Sequence, residues 1–110
     1  MEINNKIEKI FNYYGLEKQL KHFNSEVYEL NEAILANRYD CCGMTNDGSF
    51  EHIAEEIADV RVMLQQFQNY YDIPDEIILS VMSKKIDRQI ERIEDEEAKW
   101  LSASNEGDAS

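Results

Sequence analysis

Residues 16–34 read LEKQLKHFNSEVYELNEAI, and this stretch decides the fold. Leu16, Leu20, Phe23, Val27, Leu30 and Ile34 recur at spacings of 4, 3, 4, 3 and 4, the rhythm of one face of an α-helix. A half-buried strand needs apolar residues at every second position, which this stretch does not supply. Ile53, Ile57, Val60, Leu64, Phe67 and Tyr71 repeat the rhythm, and a third row follows in Leu79, Met82, Ile86, Ile90 and Ile93. Three such rows predict an all-α helical bundle.

Helix-breaking residues set the boundaries. Gly15 closes a short amphipathic opening segment containing Ile7, Ile10 and Phe11, and the second segment runs from Leu16 to about Asn37. Residues 37–49 hold Asp40, Gly43, Asn46, Asp47 and Gly48, a turn-forming set, and Ser49 suits the N-cap of a third segment from Phe50 to about Tyr71. Asp72-Ile73-Pro74-Asp75 breaks the chain again, because proline is tolerated only at a helix start. The fourth segment runs to about Leu101, and the polar stretch 102–110 is expected to be a disordered tail. The short 37–49 connection predicts that segments two and three pack as an antiparallel hairpin. The expectation is a single domain, residues 1–101, built on that hairpin plus a long fourth helix.

With 110 residues the chain has one marginal core. Ile77, Ile78 and Val81, with Met63 and Tyr70, lie outside the main rows, so oligomerisation is expected to complete the bundle as a homodimer or homotetramer. Asp and Glu number 23 against 11 Lys and Arg, a formal charge of −12, which disfavours nucleic acid as a partner. No stretch approaches the ~20 apolar residues of a membrane span, and residues 1–6 lack the basic start of a signal peptide. Adjacent Cys41 and Cys42 suit free thiols better than a strained disulfide. Together these features predict a cytoplasmic protein with no membrane partner.

The acidic residues beside the apolar rows carry the chemical information. Glu26 and Glu29 form one i, i+3 pair and Glu56 and Asp59 another, each residue immediately preceding a member of its row. All four therefore lie on the same flank of their own rows, and equal flanks meet in an antiparallel pair. With Leu16 set opposite Tyr71 and Ile34 opposite Ile53, Glu26 comes level with Asp59 and Glu29 with Glu56. Four carboxylates at one height repel unless cations neutralise them, and hard oxygen ligands favour Mg²⁺ or Mn²⁺. The competing explanation is a solvated acidic face.

Lys84, Lys85, Arg88 and Arg92 form a basic strip in the fourth segment, suited to phosphate or to pairing with neighbouring acids such as Asp87 and Glu91. Gln19 and His22 lie on the carboxylate flank and are candidate substrate contacts, whereas His52 carries less weight. The tyrosines and Trp100 suit a core or a subunit interface as well as a base.

Glu26-x-x-Glu29, then 26 residues, then Glu56-x-x-Asp59 resembles the ExxE…ExxD signature of the MazG-like all-α nucleoside triphosphate pyrophosphohydrolases. The similarity covers about residues 14 to 93 and includes the words from Gln19 to Leu30 and from His52 to Val60. It implies that Glu26, Glu29, Glu56 and Asp59 hold Mg²⁺ and that Lys85 and Arg88 contact phosphate. Two positions depart from the family: Ser25 stands where a second Glu is frequent, and Asp87 where many members carry Asn.

The reaction implied is NTP or dNTP + H₂O → NMP or dNMP + diphosphate, a house-cleaning activity, with Glu29 or Glu56 accepting the water's proton. Narrower family alternatives are a dUTPase or dCTPase type and a phosphoribosyl-ATP pyrophosphohydrolase. Outside the family, the alternative is a non-enzymatic helical interaction module. A di-iron carboxylate bundle is disfavoured because no Glu has a His three residues on.

Overall fold

The computed structural model describes residues 2–38 and 48–108. Four helices make up the described chain: α1 (Ile3–Tyr14), α2 (Leu16–Arg38), α3 (Phe50–Tyr70) and α4 (Asp75–Asp108). The all-α expectation holds. Cys41, Cys42 and most of the 37–49 connection lie outside the described residues. No described helix is long and apolar enough to cross a membrane.

Local chemistry sets the helix ends where the breakers stand. Gly15, at φ 85°, turns the chain between α1 and α2, and its N–H donates to the Phe11 carbonyl at 2.8 Å. The Ser49 hydroxyl accepts from the His52 N–H at 3.1 Å and caps α3. Past Tyr71, Asp72 takes the left-handed conformation at φ 52°. α4 then begins directly after Pro74, with Asp75 and Glu76 in its first turn, where negative charge suits the helix dipole. α4 also corrects the expected tail: it continues past Leu101 to Asp108. Residues 102–106 contain no proline or glycine, so an established helix propagates through polar residues that would not nucleate one.

The chain divides after Asp72 into two compact units, one holding α1 to α3 and the other α4. In the first unit α2 and α3 are antiparallel. Gln19 donates to Gln66 at 2.7 Å near one end, and Asn37 donates to the Gly48 carbonyl at 2.8 Å at the other. Both pairs are two residues out from the alignment of Leu16 with Tyr71, which taken strictly would set Glu26 opposite Arg61; the shifted register is what brings Glu26 level with Asp59 and Glu29 level with Glu56. Phe23 meets Phe67 edge to face with ring centres 5.6 Å apart, and α1 packs on the pair through Ile7 and Phe11, the latter against Tyr70.

The buried face differs from the apolar rows. Ala33, Ala36 and Met63 are buried together with the polar Gln19, Glu26, Glu56 and Gln66. Leu20 and Leu64, members of the rows, stay 49% and 50% exposed, and Ile34 and Ile57 are likewise half exposed. The small side chains of Ala33 and Ala36 allow close approach on this flank. The helices are thereby rotated so that the carboxylate side, not the centre of each row, faces inward.

Candidate metal centre and adjoining cavity

Glu26 lies midway along α2 and Glu56 two turns into α3, and each is more than nine-tenths buried. Their neighbours Glu29 and Asp59 are exposed. Glu26, Glu29 and Glu56 each bring a carboxylate oxygen into one group whose members lie within 4.8 Å of one another. Asp59 stands outside that group and lines the cavity beside Glu26. Of the four carboxylates expected to gather at one height, Glu26, Glu29 and Glu56 meet and Asp59 stands at the edge.

Burial pushes the carboxyls of Glu26 and Glu56 above the ordinary glutamate value, and the charges on Glu29 and Asp59 push both further in the same direction. His22 opposes the effect at Glu26 and His52 at Glu56. His22 Nε2 lies 3.0 Å from Glu26 Oε1, and His52 Nε2 lies 3.6 Å from Glu56 Oε1, with its Nδ1 3.6 Å from Glu55. The second oxygens, Glu26 Oε2 and Glu56 Oε2, are buried without a hydrogen-bond partner. An orphaned anionic oxygen is costly, and two beside a third carboxylate have the donor chemistry of a hard divalent cation site.

A cavity of about 590 Å³ opens beside this cluster between α1, α2 and α3. Ile10, Tyr14 and Met63 give it apolar walls, and the buried Gln19–Gln66 amide pair also lines it. Its size and its mixture of apolar surface with a few polar groups suit a small organic ligand. Of the two candidate substrate contacts, His22 is beside the cluster and on the cavity wall, and Gln19 is on the wall but engaged with Gln66. Lys85 and Arg88 lie exposed one turn apart on α4.

Sequence reasoning underrated three positions. Lys18 and Lys21 line the cavity with His22; Lys18 precedes His22 by four residues, the spacing of one helix face, whereas the adjacent Lys21 gives no such signal, and the basic strip of α4 is denser. His52 was outweighed because its distance from Glu56, one turn, has meaning only once Glu56 is known to be buried. The chain matches no protein-family model, no curated protein and no solved structure.

Proposed function

We propose that the protein is a divalent-metal-dependent nucleoside triphosphate pyrophosphohydrolase of the MazG-like kind, acting as a homodimer or homotetramer. The observation that supports this most is the meeting of Glu26, Glu29 and Glu56 within 4.8 Å with two of their oxygens buried and orphaned. The ExxE…ExxD resemblance names the reaction class. Mg²⁺ or Mn²⁺ held by these three carboxylates supplies positive charge for phosphate oxygens and acidifies a water molecule.

The chain's own residues do the rest. Glu26 and Glu56 are fixed by burial, so the site is organised before substrate arrives. The cavity walls at Tyr14 and Met63 hold the nucleoside portion out of water. Water oxygen attacks the α-phosphorus, the α–β anhydride bond breaks and diphosphate leaves. The water's proton passes to Asp59, the carboxylate left outside the cluster and on the cavity wall, in place of Glu29 or Glu56. The phosphate contacts that the resemblance implies for Lys85 and Arg88 belong to the same reading.

The test is diphosphate release by the full chain with Mg²⁺ over a panel of canonical and modified NTPs and dNTPs. Glu56→Gln is expected to lower kcat by about 100-fold or more. No diphosphate from any nucleotide, or full activity in Glu56→Gln, overturns the proposal.

A further inference from the structure

The two helices of the carboxylate cluster carry one spacing twice. α2 has His22, Glu26 and Glu29, and α3 has His52, Glu56 and Asp59: in both a histidine precedes the buried glutamate by four residues and an acid follows it by three. Because α2 and α3 are antiparallel with Glu26 level with Asp59 and Glu29 level with Glu56, the two triplets are related by a local two-fold axis. The structure treats them alike. On each side an imidazole Nε2 faces Oε1 of the glutamate, at 3.0 Å for His22 and 3.6 Å for His52. On each side Oε2 is the buried oxygen without a partner. Neither imidazole belongs to the group of carboxylate oxygens within 4.8 Å of one another.

We propose that His22 is a positioning residue, holding one oxygen of Glu26, a turn further on, so that the other oxygen stays free for a divalent cation, while His52, in the equivalent place but 3.6 Å from Glu56, adds only a weaker electrostatic hold. The proposal rests on the reading of the carboxylates as metal ligands and is independent of the hydrolytic reaction. A glutamate's terminal torsion is broad and two-fold, so a free carboxylate rotates and presents either oxygen or both. An imidazole N–H donating to Oε1 removes that freedom before the ion arrives, and loss of such an outer partner typically weakens metal binding about 10- to 100-fold. His22, at hydrogen-bonding distance, carries more of the effect. His52 is longer and shares its ring between Glu55 and Glu56. The His22 side chain is 54% exposed, so its replacement opens no cavity in the core.

The experiment titrates the full chain with Mn²⁺ alone, by calorimetry at fixed pH. His22→Ala is expected to weaken Mn²⁺ about tenfold or more, and His52→Ala to weaken it less. His22→Gln, whose amide N–H reaches across the same helical spacing, should stay within about threefold of the original protein. Unchanged affinity in His22→Ala overturns the proposal. So does a His22→Gln protein as weak as His22→Ala, or a parent protein that binds no Mn²⁺. A protein whose Mn²⁺ affinity depends on His22 but which releases no diphosphate overturns the hydrolase reading alone.

Discussion

Glu26 and Glu56 sit where a helix-surface glutamate would not, and their protonation links folding to pH. Burial first, and then the charges on Glu29 and Asp59, raise both above the ordinary 4.5. Between 4.5 and the raised values the folded chain binds more protons than the unfolded chain, so this contribution to stability is full below 4.5 and is lost as pH rises through the folded values. The Tm of the metal-free protein should therefore fall with rising pH in that window. A Glu26→Gln/Glu56→Gln double variant should lose most of that slope. Adding Mn²⁺ near neutral pH should raise Tm in the original protein and not in the double variant. Equal slopes in thermal melts across pH would contradict the raised values.

Gln19 and Gln66 are the second pair of buried polar groups: the Gln19 amide donates to the Gln66 oxygen, and the Gln66 amide donates to Met63 Sδ at 3.5 Å. Replacing Gln66 alone with Leu leaves the Gln19 amide without its acceptor and should cost about 1–3 kcal/mol in urea unfolding. The Gln19→Leu/Gln66→Leu double variant should recover much of that loss. Additive single costs would show that the amides act separately.

At the scale of the element, the helix boundaries rest on single residues. Gly15 combines φ 85° with ψ 163°, a region open only to glycine, and a Cβ there meets nothing within 4 Å. Gly15→Ala should thus cost about 1–3 kcal/mol from backbone strain alone, with no steric contribution. Ser49→Ala removes the α3 cap and should cost about 1 kcal/mol. Both are read by chemical denaturation, and a neutral Gly15→Ala would mean that the α1–α2 turn relaxes freely. The caps were legible in the sequence because they are local: one glycine, one serine and one proline each act within a turn. The C-terminal end of α4 was not, because the polar composition at 102–106 weakens a helix without a glycine or proline that would stop one before Gly107.

For the whole molecule, the question is what covers the apolar rows. Leu20, Ile34, Ile57 and Leu64 on the hairpin are half exposed, as are Leu79, Met82, Ile86, Ile90 and Ile93 on α4. Rows of that length on a small chain exceed what monomers usually leave at the surface. We therefore expect a homodimer or homotetramer by light scattering at low micromolar concentration. A stable, active monomer of about 12.9 kDa would refute this.

The amino-acid sequence by itself determined the four helices, their starts and the placing of two acidic pairs on facing flanks, of which Glu26, Glu29 and Glu56 meet. Periodicity, capping and the i, i+3 spacing are properties of one helix at a time, and an antiparallel hairpin leaves few registers. Only the tertiary structure decided which face is inside. The rotation of α2 against α3 depends on how Ala33, Ala36, Met63 and the glutamine pair fit together, and neither helix encodes that fit alone. That rotation buries Glu26 and Glu56 while leaving Leu20 and Leu64 half exposed, and it orphans two carboxylate oxygens. It also turns His52, an unremarkable residue in the sequence, into the counterpart of His22.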